Sequence, residues 1–295
     1  MRTDRAALPA KVEPGGRFAA WAPAHAAYVV CDVDGTLIGP ADDASERVVD
    51  AVARAEQAGL RVGFATGRMR RAVEPLWRQL AASGPHILHN GAEVRAGGTT
   101  IAAWTLDAEQ VDGLLAIARA RDDVYVEIYT EHTYLASAWD ERAEPHWLIL
   151  GAAPDGIVDR AADLGGAPVL KATFAAFDPA AVPALERAVV DLGLTAGPAG
   201  SPRTPTLQYV NATHPEADKG AALGRAAAHL GLELRDVAAV GDATNDLSML
   251  GVAGTAIAMG QAPVAVRDAA HLIVPEVDQD GVAVAIEALV GWRDG

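Results

Sequence analysis

Two aspartates one residue apart follow a short apolar run near the start of the chain. The run covers residues 27–31, the carboxylates are Asp32 and Asp34, and Gly35 comes next. A short apolar run that ends in polar residues is typical of a buried parallel strand. Two carboxylates at such a turn can meet one metal ion, or one can attack a substrate while the other transfers protons. An acidic loop with a glycine turn is the competing interpretation, and this pattern alone leaves both open.

Two further polar groups stand at the start of predicted helices. Thr66-Gly67-Arg68 follows the apolar run 60–65, and a hydroxyl beside a backbone amide suits phosphate oxygens. Thr66 could instead act only as an N-cap. Lys219 opens a later helical stretch, where it could neutralise phosphate charge or simply be solvated.

The fourth group follows another apolar run, residues 237–240. It contains Gly241-Asp242 and Asn245-Asp246, so two carboxylates again lie where a strand ends. They could serve a site or only complement a helix dipole. Four such groups in this order are hard to explain as four coincidences, because the carboxyl ends of parallel strands meet at one edge of a sheet, where ligands bind.

The elements that must position these groups alternate between strand and helix. This alternation predicts an α/β fold, a doubly wound parallel sheet. One helix is predicted from Ser45 to Ala58, with Ser45 as N-cap and Gly59 as its end. Between the second and third polar groups the pattern changes to mixed strands and helices, which predicts an inserted α+β domain. The predicted boundaries are 1–26 for an N-terminal extension, 27–93 and 205–295 for a catalytic core, and 94–204 for the insertion.

The bulk composition excludes some partners. The formal net charge is −15 and the pI about 4.9, which argues against nucleic acid or an anionic membrane as partner. No apolar run reaches the length of a membrane span, roughly 18 residues. Cys31 is the only cysteine, so no intrachain disulfide can form. Since the first residues also lack the apolar stretch of a secretory signal, we expect a reducing cytoplasmic location.

The four groups together resemble the motifs of the haloacid dehalogenase superfamily. These run Asp-x-Asp-x-Thr, then Ser or Thr, then Lys, then an acidic pair. Several further segments, within about residues 27–290, resemble the Cof-type phosphatase branch. This branch carries a C2B-type cap. They are Gly241-Asp242-x-x-Asn245-Asp246-x-x-Met249, Asn90-Gly91-Ala92, Lys219-Gly220, Ala258-Met259-Gly260 and Asp280-Gly281-Val282. Gln261 and His271 depart from this branch, which usually has Asn and Asp there.

The resemblance implies a Mg²⁺-dependent phosphatase. Asp32 would attack phosphorus and form an aspartyl-phosphate, while Asp34 would protonate the leaving group and later activate water. Mg²⁺ would be held by the carboxylates of Asp32 and Asp242 and the backbone carbonyl of Asp34, with Asp246 orienting bound water.

Other positions would hold the phosphate. These are Thr66, Gly67, Arg68, Asn90, Lys219 and Asn245. Arg68 could instead pair with a core carboxylate. The expected substrate is a small phosphorylated metabolite, with sugar phosphates first, and the cap would select it.

Two other functions remain open from the sequence. A phosphomutase would use the same aspartyl-phosphate, and phosphomannomutases have a similar Asp-Val-Asp-Gly-Thr-Leu start, but their second and fourth motifs differ. A non-catalytic phospholigand-binding protein is the second alternative, against which the retention of both Asp32 and Asp34 speaks. Phosphate release with Mg²⁺ and without a bisphosphate activator would distinguish the three.

Overall fold

The computed structural model describes residues 26–40, 43–200, 204 and 207–293. The predicted N-terminal extension therefore lies outside the described residues, apart from Ala26. Within these ranges the chain forms two compact units. The first comprises residues 26–67, 74–102 and 218–293, and the second comprises residues 68–73 and 103–217.

The described ranges contain thirteen strands and nine α-helices. The strands are β1 (Tyr28–Asp32), β2 (Arg61–Ala65), β3 (His86–Leu88), β4 (Glu93–Ala96), β5 (Thr99–Ala103), β6 (Val124–Thr130), β7 (Tyr134–Ala136), β8 (Val169–Ala176), β9 (Thr195–Gly200), β10 (Gln208–Thr213), β11 (Val237–Gly241), β12 (Thr255–Met259) and β13 (Leu272–Val274). The helices are α1 (Glu46–Gln57), α2 (Arg70–Leu80), α3 (Ala108–Arg119), α4 (Glu144–Leu150), α5 (Val182–Asp191), α6 (Lys219–His229), α7 (Leu247–Val252), α8 (Val264–Ala269) and α9 (Gly281–Arg293).

An eight-stranded sheet forms the first unit, in the order β13-β12-β11-β1-β2-β3-β4-β5. The six strands from β13 to β3 pair in parallel, and β4 pairs antiparallel with β3. The predicted fold class, a doubly wound α/β sheet with an inserted α+β domain, is confirmed.

Strand β1 lies in the interior of this sheet, and all five of its residues are buried. Apolar side chains on both faces are what a parallel strand covered on both sides requires. Cys31 is completely buried there. Burial, and secondly the charge of Asp32, raise the pKa of its thiol far above the usual range.

Helix α1 begins and ends as the sequence predicts. The Ser45 hydroxyl accepts a hydrogen bond from the backbone N of Val48 at 3.2 Å, which satisfies one of the free donors of the first turn. Gly59 adopts a positive φ of 77° just beyond the helix end. The buried residues Val48, Ala51, Val52 and Ala55 recur at helical spacing and form the inner face.

The second unit is built on a five-stranded sheet, in the order β7-β6-β8-β10-β9. Its pairings are antiparallel. Apolar residues of one sheet face, such as Val126 and Phe174, form a core with α3 and α5. The alternate residues Tyr125, Tyr129 and Tyr209 belong to a separate aromatic cluster on the opposite face.

A buried polar network lies among these aromatic residues. Glu127 is completely buried, accepts a hydrogen bond from the Tyr129 hydroxyl and lies 3.1 Å from His146 Nδ1. The Lys171 ammonium sits 4.5 Å from the centre of the Tyr129 ring. Burial lowers the pKa of Lys171 to about 8, although the charge of Glu127 opposes this effect.

The observed limits of the second unit differ from the boundaries 94–204 that the sequence predicts for the insertion. Strands β4 and β5 extend the sheet of the first unit beyond β3, so the chain enters the second unit at residue 103. Strand β10 pairs with β8 and β9, so the chain returns only at residue 218. The pairing of strands, which the sequence does not display, determines both limits. The role of the insertion as a substrate-selecting cap stays a prediction.

Among the described helices, none is both long enough and apolar enough to cross a membrane.

Candidate active site

Three parallel strands bring the predicted catalytic groups to one edge of the first-unit sheet. Asp32 is aligned with Ala65 of β2, and Thr66 follows at once. On the other side of β1, Cys31 is aligned with Val240, so β11 ends at Gly241 beside Asp32. Because parallel strands all end at the same edge, the loops that follow β1, β2 and β11 converge there.

Three carboxylates and one ammonium form the centre of this edge. Each of three aspartates contributes one carboxylate oxygen, and these three oxygens lie within 4.8 Å of one another. The residues are Asp32, Asp242 and Asp246. Lys219 Nζ lies 2.5 Å from Asp32 Oδ1 and 2.6 Å from Asp246 Oδ1. Asp32 is 6% exposed, Lys219 is 1% exposed and Asp246 is fully buried. With all four groups ionised, the cluster carries an excess of negative charge, which a divalent cation would neutralise.

Burial and mutual repulsion change the pKa values of this cluster. Burial raises the pKa of Asp32 well above its usual range, although Lys219 opposes the increase. Burial, followed by the charge of Asp246, raises the pKa of Asp242 to about 6. Burial favours neutral Lys219, but Asp246 and Asp32 outweigh it and raise the pKa of this ammonium. The two carboxylates therefore favour the charged form of Lys219.

The loop after β1 turns tightly around Gly35. The backbone N of Gly35 donates to the carbonyl of Ile38 at 2.9 Å, and Gly35 has a φ of 87°. A Cβ at this position would lie 2.4 Å from Asp242 Oδ2, so glycine is required both for the turn and for the approach of that carboxylate. The Thr36 hydroxyl donates to Asp242 Oδ1 at 3.0 Å. Asp34 is exposed, and its charge contributes to the raised pKa of Asp242.

Hydrogen bonds to the backbone hold the acidic and basic side chains in place. Asp246 Oδ2 accepts from the backbone N of Asp242 at 3.0 Å and of Ala243 at 2.9 Å. Asp218 caps α6, and its Oδ1 accepts from the backbone N of Gly220 at 2.7 Å. Lys219 therefore projects from the fixed first turn of a helix.

A second group lies where β2 and β3 end. The backbone N of Asn90 donates to the Thr66 carbonyl at 3.0 Å, and Asn90 adopts a positive φ of 59°. A Cβ at Gly67 would lie 2.8 Å from Asn90 Oδ1, so this side chain packs directly on the Gly67 backbone. Asn245 Nδ2 donates to Asn90 Oδ1 at 3.4 Å. Since Asn245 directly precedes Asp246, this group adjoins the carboxylate cluster.

Comparison with known proteins agrees with this geometry. The model of one family, described as haloacid dehalogenase-like hydrolase, matches residues 29–286 of the chain. The chain belongs to this family. A 5-amino-6-(5-phospho-D-ribitylamino)uracil phosphatase of Bacillus subtilis is 27% identical to this hydrolase over 291 residues, which covers 90% of this chain and 98% of the relative.

Two further similarities extend over most of the hydrolase. An HMP-PP phosphatase of Cronobacter sakazakii is 29% identical over 266 residues, covering 89% of this chain and 94% of the relative. The crystal structure of a haloacid dehalogenase-like hydrolase from Bacteroides thetaiotaomicron matches with a TM-score of 0.76 at 25% identity, covering 88% of this chain and 98% of that one. The predicted membership of the Cof-type phosphatases is confirmed, and the hydrolase is a phosphatase.

Nine of the ten predicted site residues of this hydrolase lie in its first unit. They are Asp32, Asp34, Thr66, Gly67, Asn90, Lys219, Asp242, Asn245 and Asp246. Arg68 begins the short segment that belongs to the second unit, and its contact with phosphate stays a prediction.

Two residues that depart from the usual sequence of this branch have clear structural contacts in the hydrolase. Gln261 Nε2 donates to the Gly35 carbonyl at 2.6 Å, so its side chain reaches the loop that carries Asp34. His271 Nδ1 accepts from the backbone N of Ala256 at 2.8 Å and joins the starts of β12 and β13. The sequence identified Gln261 as a departure from this branch, but it did not indicate the contact with Gly35. The bond from Thr36 to Asp242 was also missed, although Thr36 stands in the first motif.

Proposed function

We propose that the chain is a Mg²⁺-dependent phosphatase that hydrolyses a small phosphomonoester through an aspartyl-phosphate on Asp32. The observation that carries the proposal is the cluster in which Lys219 bridges Asp32 and Asp246 while Asp242 completes a triad of carboxylate oxygens within 4.8 Å. Phosphoryl transfer needs charge neutralisation and alignment, which Lys219 and a divalent cation held by these carboxylates would supply.

Asp32 is the proposed nucleophile. It ends a buried strand, and its Oδ1 is held 2.5 Å from Lys219 Nζ. One carboxylate oxygen is thereby fixed by the ammonium, and the other is available to attack phosphorus. Covalent attack divides hydrolysis into formation and breakdown of a phosphoenzyme.

Asp34 is the proposed general acid and base. It stands two residues after the nucleophile, in the turn that Gly35 makes possible, and its side chain is exposed to solvent. In the first step its carboxyl proton passes to the ester oxygen as the bond from phosphorus to that oxygen breaks. In the second step its carboxylate takes a proton from the attacking water.

The donor set fits a hard divalent cation. All three side chains of the triad offer oxygen ligands, and the raised pKa values of Asp32 and Asp242 reflect burial and repulsion that a cation would relieve. We assign binding to the carboxylates of Asp32 and Asp242 and to the backbone carbonyl of Asp34. Asp246 bonds Lys219 and two backbone N–H groups, so its proposed part is to orient bound water. Bound Mg²⁺ would neutralise charge on the phosphoryl oxygens during attack.

The phosphate oxygens would be held by Lys219, the Thr66 hydroxyl and the Gly67 backbone. A Cβ at position 67 would collide with the Asn90 side chain, so this position requires glycine. The hydrogen bond from Asn245 holds Asn90 in place. Asn90 and Asn245 would therefore orient this part of the site.

For the substrate we propose a small phosphorylated metabolite, with the second unit selecting among metabolites. Sugar phosphates are the first candidates. The relatives named above are phosphatases of a phosphorylated ribitylamino-uracil and of HMP-PP, and the uracil compound adds phosphorylated nitrogen heterocycles to the candidates.

Phosphate release from a panel of phosphorylated metabolites, with Mg²⁺ and without a bisphosphate activator, tests this function. We expect turnover by the wild type and none by Asp32→Asn, because an amide cannot form the phosphoenzyme. Asp50→Asn, an exposed aspartate on α1, is the matched control and should keep full activity. A tenth of the wild-type rate in Asp32→Asn would exclude this nucleophile, and a requirement for a bisphosphate would indicate a mutase.

A further inference from the structure

Gln261 connects two loops of the first unit through both ends of its side-chain amide. Its Nε2 donates to the carbonyl of Gly35 at 2.6 Å, and its Oε1 accepts from the backbone N of Val277 at 3.2 Å. One end of the side chain must donate and the other must accept, so the amide is matched to both partners in a single orientation.

Gln261 adds a side-chain restraint to the loop after β1, at the residue that follows Asp34. Gly35 cannot carry a Cβ, because that atom would meet the carboxylate of Asp242. Glycine is also the residue with the greatest backbone freedom, and here it directly follows Asp34. The bond from Gly35 N to the Ile38 carbonyl restrains the peptide before Gly35. The peptide after Gly35 is held at both its polar groups, because Thr36 N donates to the Val33 carbonyl at 3.3 Å and Gln261 Nε2 donates to the Gly35 carbonyl.

We propose that Gln261 is a positioning residue for general acid–base catalysis. By fixing the peptide after Gly35, it holds the turn in the conformation that aims the carboxyl group of Asp34 at the leaving-group oxygen. This inference rests on the proposed function, since it requires Asp34 to transfer a proton. Gln261 itself touches neither the carboxylate triad nor Lys219 in any hydrogen bond of the described residues.

The dependence of the rate on the leaving group shows whether Asp34 is correctly positioned as the acid. When Asp32 attacks, the bond from phosphorus to the ester oxygen breaks, and the proton of Asp34 passes to that oxygen. An alkoxide is a poor leaving group and needs the proton, whereas a nitrophenolate leaves with little help. A misplaced Asp34 should therefore slow phosphoenzyme formation more from an alkyl phosphate than from an aryl phosphate.

Two substitutions test the two properties that the bridge requires. Gln261→Glu keeps the size but replaces the donor with a second acceptor, which faces the Gly35 carbonyl. Gln261→Asn keeps the amide but is one methylene shorter, so it cannot reach both partners. For either variant we expect kcat/KM to fall roughly tenfold with an alkyl phosphate and by less than about threefold with an aryl phosphate, a loss of the size caused by removing one hydrogen bond.

Gln79 provides a matched control. Its side-chain amide also donates one hydrogen bond and accepts another in the first unit, but both are to a single residue: Nε2 donates to the Ala44 carbonyl at 3.1 Å and Oε1 accepts from Ala44 N at 3.3 Å. Gln79→Glu and Gln79→Asn should keep wild-type kcat/KM with both substrates. A second measurement does not depend on activity. Amide hydrogen exchange of residues 33–38 in metal-free protein should be faster in the Gln261 variants and unchanged in the Gln79 variants.

The outcomes separate the inference from the function on which it rests. Wild-type kcat/KM in both Gln261 variants, or an equal loss with both leaving groups, would overturn the positioning role. Unchanged hydrogen exchange of the loop would overturn it as well. If the wild type releases no phosphate from any metabolite, the proposed function and the catalytic role of Gln261 are refuted together. If the Asp32→Asn variant stays active, only the assignment of the nucleophile is refuted.

Discussion

Lys219→Met tests the electrostatic account of the active site, because it removes the ammonium that bridges Asp32 and Asp246 while roughly keeping the side-chain volume. The variant retains three carboxylates whose oxygens lie within 4.8 Å of one another. Removing one partner of a buried ion pair costs about 3–5 kcal/mol, because the remaining charge stays buried without compensation. For a domain of this size, each kcal/mol corresponds to roughly 2–4 °C in Tm. We therefore expect Tm in EDTA at pH 8 to fall by about 10 °C.

The pH dependence of this loss has a definite sign. Lys219 lowers the pKa of Asp32, so its removal raises that pKa further above the value in the unfolded chain. The folded variant then binds more protons than the unfolded chain as the pH falls, and its stability rises relative to wild type. The difference in Tm should therefore be smaller at pH 5 than at pH 8. Saturating Mg²⁺ should also reduce it.

Thermal denaturation followed by circular dichroism measures both effects. Combining Lys219→Met with Asp32→Asn removes the uncompensated charge and should recover part of the lost Tm. The electrostatic account is refuted by a Tm of Lys219→Met within 2 °C of wild type at pH 8 in EDTA (about 1 kcal/mol or less). It is equally refuted if the double variant is less stable than the single one.

Four further predictions concern metal, acid catalysis and the second unit. EDTA should abolish activity and Mg²⁺ restore it, while Ca²⁺, which takes more oxygen ligands, should inhibit. Because burial raises the pKa of Asp242 to about 6, protons compete with the metal for this carboxylate below that pH. The Mg²⁺ concentration that gives the half-maximal rate should therefore be higher at pH 5 than at pH 7. An equal Mg²⁺ requirement at both pH values would contradict this. Asp34→Asn should slow phosphoenzyme formation more for alkyl than for aryl phosphates in rapid-quench experiments, and equal damage would exclude it as general acid. Because burial lowers the pKa of Lys171 to about 8, below its unfolded value, stability in urea should increase from pH 7 to pH 10, and Lys171→Met should lose this increase.

The position of these polar groups at one sheet edge could be predicted because the signals are local. Each polar group directly follows an apolar strand or begins a helix, so its position could be inferred from a few neighbouring residues. Parallel pairing then brings these strand ends together, as the alignment of Asp32 with Ala65 illustrates. The same reasoning located Ser45 as the cap of α1.

The parts that escaped prediction show no local apolar pattern. Strand β4 contains Glu93 and Arg95, charged residues that do not suggest a buried strand. Both are nevertheless buried, because Arg95 Nη1 pairs with Glu93 Oε1 at 2.8 Å and the Thr100 hydroxyl of β5 donates to the same oxygen at 2.7 Å. Helix α4 is only seven residues long and was missed, since two turns show little periodicity. The bridge made by Gln261 spans residues 35 to 277, which no local pattern connects.

The buried thiol of Cys31 makes the central strand an internal reporter. A thiol reagent reacts with the thiolate, and here burial both excludes the reagent and raises the thiol pKa. Because this is the only cysteine of the chain, every labelling event reports the opening of β1 one residue before the proposed nucleophile. The labelling rate of the native protein would therefore measure the free energy of that opening without any engineered probe, and ligands that bind the carboxylate cluster should slow the reaction in proportion to their affinity.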